Sequence, residues 1–132
     1  MKKRLLVVED NQDLADIYQL SFQQAGFEVL SVHDGEEALK KFVDFQPHLV
    51  LCDIKLPSLS GFDTIEMMQG FPELMKNTVI IIISAYSDRK LIKRAQQLGI
   101  PTERYLVKSQ ISINQVAQVL QGYIPVNEAS TS

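Results

Sequence analysis

The sequence predicts an α/β domain with one parallel sheet between two layers of helices. Three observations point there: five apolar runs, helical spacing in every interval between them, and little polar alternation within most of the runs. Strict strand–helix alternation implies parallel strands joined by right-handed crossovers. Strands covered on both faces read as continuous apolar stretches. The 132 residues suit one domain, and a 45% hydrophobic content can fill one core.

The five expected strands are Leu5–Val8, Glu28–Val32, Leu49–Cys52, Val79–Ile83 and Tyr105–Val107. The second is more polar than the others. Between the first two, Leu14, Ile17, Tyr18, Ser21 and Ala25 share a helical face that Gly26 closes. The next face carries Ala38, Leu39, Phe42 and Phe45, and Gln46-Pro47 ends it. A third helix begins near Phe62 and carries Ile65 and Met68, with Leu74 as a candidate extension past Gly70 and Pro72. A fourth carries Leu91, Ile92, Ala95 and Leu98 and closes at Gly99. A fifth carries Ile113, Val116, Ala117, Leu120 and Ile124, and a polar VNEASTS segment comes after it.

Composition excludes several function classes. A net charge of −3 does not suggest nucleic-acid binding by the chain as a whole. One cysteine, Cys52, cannot form an intrachain disulfide framework and fits a reducing, cytoplasmic setting. The LLVV run is too short for a signal-peptide core, and no apolar stretch reaches the roughly 18 residues of a membrane span. His33 and His48 follow no metal-ligand spacing and read as surface residues. Cys52 reads as inert core.

The chemistry lies at the strand ends. Glu9 and Asp10 come directly after LLVV, Asp53 after LVLC, Ser84 after VIIII and Lys108 after YLV. Parallel strands point their C-terminal ends to one edge, so these residues converge there. Ligands of open α/β sheets bind at that edge, where strand order reverses. In a sheet ordered 2-1-3-4-5, Asp10 and Asp53 would face each other across that point. Clustered carboxylates repel unless a cation holds them. Oxygen ligands without His or Cys favour Mg²⁺, with Mn²⁺ as the alternative. A hydroxyl and a lysine suit the oxygens of a phosphoryl group, and the central carboxylate suits a nucleophile. In the loop LPSLSG, Pro57 stiffens the turn. Gly61 is expected to permit a positive φ and to start the third helix in close packing. The carbonyl of Lys55 is a candidate for the metal shell.

The motifs VVEDN (7–11), DIKLPSLSG (53–61), SA (84–85) and YLVK (105–108) stand in order at the expected strand ends. With them the chain resembles the receiver domain of two-component response regulators, over about residues 3–122. The resemblance implies a doubly wound, flavodoxin-like (βα)5 fold with strand order 2-1-3-4-5. It implies a receiver domain over 1–122, leaving 123–132 as a tail or the start of a linker. It also implies Mg²⁺-dependent phosphorylation of an aspartate by a histidine kinase or phosphotransfer protein. By position, Asp53 is the phosphoacceptor, Asp10 a Mg²⁺ ligand, Glu9 a ligand through water and Lys55 a carbonyl ligand. Ser84 takes the place of the switch hydroxyl, Tyr105 of the switch aromatic and Lys108 of the phosphate-binding lysine. Phosphate would draw Ser84 inward, and Tyr105 would fill the vacated space. The changed surface of fourth helix, fifth strand and fifth helix would select a downstream protein, and the chain is expected as a monomer or as a weak homodimer through that face. Two departures stand out. Ser109 replaces the usual proline after the lysine, which favours a trans peptide. LGIPTERYLVK also lacks the usual glycine–alanine pattern before the aromatic.

Other readings are a metal-dependent phosphohydrolase with an aspartate nucleophile, a nucleotide binder and a receiver-like module that is never phosphorylated. Lys55 occupies the place where the first would carry a second acid. No G-x-G-x-x-G or G-x-x-x-x-G-K motif supports the second. The intact set of Asp10, Asp53 and Lys108 argues against the third. The expectation is therefore a signalling protein, not an enzyme, acting either as a single domain or as the receiver of a longer chain. No direct DNA binding is expected from this chain. Arg89-Lys90 and Lys93-Arg94 read as a solvated helix face or a partner site, and Lys40-Lys41 as a solvated face.

Overall fold

The structure is a computed structural model that describes residues 2–123. Five strands alternate with helices: β1 (Arg4–Val8), α1 (Gln12–Gln24), β2 (Glu28–Val32), α2 (Gly35–Phe45), β3 (Leu49–Cys52), α3 (Gly61–Met68), α4 (Pro72–Met75), β4 (Val79–Ser84), α5 (Arg89–Gln97), β5 (Tyr105–Val107) and α6 (Ile113–Gly122). Short 3-10 turns at Thr102–Arg104 and Lys108–Gln110 flank β5. All strand pairs are parallel, in the order β2-β1-β3-β4-β5. The expected strands are present, with Arg4 and Ser84 added at two ends.

Successive strand side chains point to opposite faces, and both faces are apolar. Leu6, Val8, Val50, Cys52, Ile80 and Ile82 pack with Phe42 of α2, Ile65 and Met68 of α3 and Ala95 of α5. Leu5, Val7, Leu49, Leu51, Ile81 and Ile83 pack with Tyr18 and Phe22 of α1 and Val116 and Leu120 of α6. This two-sided burial is the physical reason that the central strands read as unbroken apolar runs.

Local signals set the helix ends. The side chains of Asn11, Asp34, Ser60 and Ser112 accept bonds from the backbone N–H of Leu14, Glu37, Asp63 and Gln115, which satisfies first-turn donors. The Ser112 N–H in turn donates to Gln115 Oε1, completing a capping box. Gly26 reverses the chain after α1 with φ 102°.

The structure corrects three expectations about packing. The α1 stripe is centred on Ala15, Tyr18 and Phe22, while Ile17 is 49% exposed. Phe22 was the missed anchor, and it stacks on Tyr18 at 5.3 Å between ring centroids. The third helix stops at Met68, and α4 is a separate turn started by Pro72 and carrying Leu74 against the core. His33 and His48 are half-buried: Nδ1 of His33 lies 3.1 Å from the Glu9 carbonyl, and Nδ1 of His48 accepts from the Arg4 N–H. The expectations for Ile124 and for the tail fall on residues 124–132, outside the described residues.

Candidate functional site

Register builds the site. Val8 pairs with Cys52, so the next residues, Glu9 and Asp53, leave β1 and β3 side by side. Ser84 pairs with Val107, so Lys108 emerges one residue beyond β5 on the same edge. Carboxylate oxygens of Glu9, Asp10 and Asp53 lie within 4.8 Å of one another. Asp10 is exposed, whereas Glu9 and Asp53 are buried.

Lys108 joins the two buried acids. Its Nζ donates to Glu9 Oε1 at 2.8 Å and to Asp53 Oδ2 at 2.7 Å. The lysine therefore touches both carboxylates. Burial opposes the charge on Lys108, but the bonds to Asp53 and Glu9 outweigh it and hold the ammonium above its usual pKa. Burial raises the Glu9 carboxyl, although Lys108 and the Asn11 N–H, which bonds Oε2 at 3.1 Å, pull it down. Glu9 is thus a built part of the site, not a solvated acid.

The loop after β3 presents Asp53. The Lys55 N–H approaches Asp53 Oδ1 at 3.3 Å. Pro57 accepts from Leu59 N at 2.9 Å and from Gly35 N at 3.4 Å, tying the loop to the start of α2. The left-handed residue of this loop is Ser58, with φ 66°, and not Gly61. Gly61 is needed for space. A Cβ there would press on the Asp53 carbonyl oxygen and lie 2.7 Å from Ile54 Cα. The Gly61 N–H donates to the Ile54 carbonyl at 2.6 Å, so α3 starts directly against the acidic strand end.

Ser84, Tyr86 and Tyr105 form a second set. Ser84 is fully buried, and its Oγ accepts from the Tyr86 N–H at 3.0 Å. The Tyr105 hydroxyl donates to the Tyr86 carbonyl at 2.8 Å. Tyr105 is 6% exposed, so its ring already lies inward, and burial raises its phenol pKa. Filling a vacated space by inward rotation is therefore not required of it. Sequence reasoning gave Tyr86 no part in this connection; its place two residues after Ser84 was the available signal.

The remaining expectations sort simply. Cys52 is buried, and burial pushes its thiol up, which keeps it inert. The structure has no cis peptide bond among the described residues, Lys108–Ser109 included. No helix among the described residues is long and apolar enough to cross a membrane. A cleft of about 440 Å³ at the opposite edge is lined by Arg4, His48 and Thr78 among others. Arg4 N bonds His48 Nδ1 and Thr78 Oγ1 bonds the Pro47 carbonyl, so these groups tie strand ends together.

An all-oxygen cluster, a half-buried lysine on two carboxylates and a buried hydroxyl stand together at the strand ends, donor types that suit a hard cation and a phosphoryl group. Comparison with known proteins agrees. The family described as response regulator receiver domain matches residues 5–121. Sporulation initiation phosphotransferase F of Bacillus subtilis is 25% identical over 126 residues, covering 96% of this chain and 97% of that protein. The alkaline phosphatase synthesis transcriptional regulatory protein PhoP of Bacillus subtilis is 35% identical over 79 residues. That match covers 57% of this chain and only 33% of PhoP. The crystal structure of chemotaxis protein CheY4 of Vibrio cholerae superposes with a TM-score of 0.84 at 22% identity, over 94% of this chain and all of that one. With the 2-1-3-4-5 sheet and its acidic edge, these findings establish that the chain belongs to the response regulator receiver domain family.

Proposed function

We propose that Asp53 is the phosphoacceptor of this receiver domain and that phosphorylation there changes a protein-binding surface. The observation that carries the reading is the placement of Asp53. It sits at the end of β3 with one oxygen on Lys108 and the other facing the Lys55 N–H. An Asp53 oxygen attacks the phosphorus of a phosphohistidine on a kinase or phosphotransfer protein. The P–N bond breaks as the P–O bond forms, and the imidazole leaves with its electron pair and takes up a proton. Lys108 is placed to balance the oxygen charge that builds during transfer.

Glu9, Asp10 and Asp53 supply oxygens suited to Mg²⁺, and the Lys55 carbonyl is the fourth candidate ligand. The bound ion would supply charge neutralisation for the incoming phosphoryl oxygens. The residues of this chain position the acceptor and hold the ammonium against it. Ser84 then serves as a donor to a phosphoryl oxygen, and Tyr86 links its movement to Tyr105. The output surface comprises α5, β5 and α6, and the domain binds targets there without catalysing turnover of a separate substrate.

Intact mass after incubation with acetyl phosphate and Mg²⁺ tests the reading. One added phosphoryl group, absent in Asp53→Asn and absent with EDTA, is the expected result. Equal labelling of Asp53→Asn and wild type would refute it.

A further inference from the structure

Glu9 is held by its backbone as well as by its carboxylate. Val8 pairs with Val32, and the Glu9 N–H continues that ladder by donating to the Val32 carbonyl at 3.0 Å. The next rung is missing: among the described residues no backbone N–H donates to the Glu9 carbonyl. The His33 side chain takes that place, with Nδ1 3.1 Å from the Glu9 oxygen. A carbonyl only accepts, so Nδ1 carries the proton and donates. His33 is half-buried and fixed from both sides. Val32 before it is buried at the end of β2, and Asp34 after it caps α2 through the Glu37 N–H at 2.8 Å. The Glu9 carbonyl belongs to the planar peptide unit that joins Glu9 to Asp10, so fixing its oxygen fixes the start of Asp10. Asp10 depends on that. It is exposed, and among the described residues no hydrogen bond or ion pair holds its carboxylate. Its carboxylate nevertheless lies within 4.8 Å of those of Glu9 and Asp53.

We propose that His33 is a positioning residue for Mg²⁺ binding, which holds the Glu9–Asp10 peptide so that the Asp10 carboxylate stays beside Glu9 and Asp53. The proposal rests on the reading of these three acids as the groups that hold Mg²⁺. His33 acts through the peptide and is not itself a ligand: its Nδ1 is engaged by the carbonyl, and the cluster of carboxylates includes no histidine. Hydrogen bonds behind a metal ligand set its orientation before the ion arrives, and their loss weakens binding because the ion must then order the ligand itself. Without the His33 donor the Glu9–Asp10 peptide is free to tilt, and the exposed Asp10 has no other anchor. The effect falls on ion affinity and spares the acceptor itself. Asp53 is held by Lys108 and faces the Lys55 N–H, and neither of these touches His33.

The test uses the full chain and Mg²⁺ itself as the probe. Two substitutions separate the donor from the bulk: His33→Leu fills the space without a donor, and His33→Asn keeps an N–H close to the place of Nδ1. Calorimetry should show Mg²⁺ binding about 2- to 10-fold weaker in His33→Leu and close to wild type in His33→Asn. In metal-free protein the carbonyl-carbon NMR signal of Glu9 should move upfield in His33→Leu and return in His33→Asn. Labelling by acetyl phosphate should need correspondingly more Mg²⁺ in His33→Leu, yet reach the wild-type rate once Mg²⁺ saturates. Imidazole nitrogen shifts of the unsubstituted protein should place a proton on Nδ1, a reading that stands even where a variant fails to fold. Wild-type Mg²⁺ affinity in His33→Leu, an equal loss in His33→Asn, or a proton on Nε2 alone would each overturn the role of His33. Absence of Mg²⁺ binding by the wild type would overturn it together with the metal reading. Normal Mg²⁺ binding without labelling would reject the phosphoacceptor reading alone, and the calorimetry of the two variants would still decide the role of His33.

Discussion

Lys55 Nζ lies 4.4 Å from the centroid of the Tyr86 ring, so an ammonium from the β3 loop rests on an aromatic from the β4 loop. The two loops border the edge where Asp53 ends β3, and the contact closes one side of it. Tyr86 is 41% exposed, which places the contact where water would approach. An exposed cation–π contact contributes about 0.5–1 kcal/mol. Removing it should raise the open population, and with it the rate of phosphate loss from Asp53, about 2- to 5-fold. The decay of phosphorylated Tyr86→Ala, followed by intact mass, checks this; an unchanged or slower decay rejects the shielding role.

Gly61 makes a structural prediction at the same edge. A methyl group there presses on the Asp53 carbonyl and on Ile54 Cα, and both are backbone atoms that cannot swing away. Gly61→Ala should destabilise the domain by about 1–3 kcal/mol and displace the loop that presents Asp53. Urea denaturation reads the first effect, and slower labelling by acetyl phosphate reads the second. Wild-type values on both counts would contradict the close approach.

Two tyrosines predict an alkaline limit. Burial raises the phenol of Tyr18 to about 12 and that of Tyr105 above its ordinary 10.0. A raised pKa means that folding favours the protonated form. The associated stability is complete below the unfolded value near 10, and it is lost as pH rises through the folded values. Thermal stability should therefore fall from about pH 10 upward, and the fall should be shallower in Tyr18→Phe and Tyr105→Phe. Tyr105→Phe should also lose about 0.5–1.5 kcal/mol near neutral pH, since the bond to the Tyr86 carbonyl goes with its hydroxyl. Parallel pH profiles for all three proteins would refute the assignment.

The lysine bridge bears on metal affinity. Lys108 already neutralises part of the charge on Glu9 and Asp53, so it competes electrostatically with a divalent ion. Calorimetry should show Mg²⁺ binding about 10-fold weaker in Asp10→Ala, which loses an oxygen ligand. Lys108→Met should bind Mg²⁺ several-fold tighter than wild type yet accept phosphate more slowly. Weaker Mg²⁺ binding in Lys108→Met would reverse the proposed competition.

Much of this architecture was legible because two-sided burial writes itself into LLVV, LVLC and VIIII as unbroken apolarity. The strand-end residues Glu9, Asp53, Ser84 and Lys108 were legible for the same reason: a parallel sheet delivers every strand end to one edge. Contacts set by tertiary approach were less legible. The close packing expected of Gly61 at the start of the third helix is present, against Asp53 and Ile54, but the positive φ also expected of it belongs to Ser58. The α1 stripe was misplaced because Ile17 is apolar yet points outward, while Phe22, five residues on, carries the packing. The role of Tyr86 depends on three partners far apart in sequence or on a backbone atom, and residue type alone does not reveal such a junction.

Ser84 supplies the last prediction. Its Oγ is buried and accepts from the Tyr86 N–H, which fixes the turn that leads from β4 toward α5. A hydroxyl can donate to a phosphoryl oxygen, and a charge-assisted bond of that kind is about twice as strong as a neutral one. Moving Ser84 toward the phosphoryl group would pull Tyr86, and the Tyr86 carbonyl would carry the Tyr105 hydroxyl with it. The coupling then works through a rearranged turn, with Tyr105 buried throughout. In wild type, beryllofluoride with Mg²⁺ should shift amide NMR signals along residues 86 to 112 as well as around Asp10 and Asp53. Ser84→Ala removes the donor to phosphate and the acceptor for Tyr86 together, so it should bind the analogue but respond only near the acids. Ser84→Thr keeps the hydroxyl and should restore most of the distant shifts. A full distant response in Ser84→Ala, or a wild-type response confined to the acidic edge, would show that the output does not run through this turn.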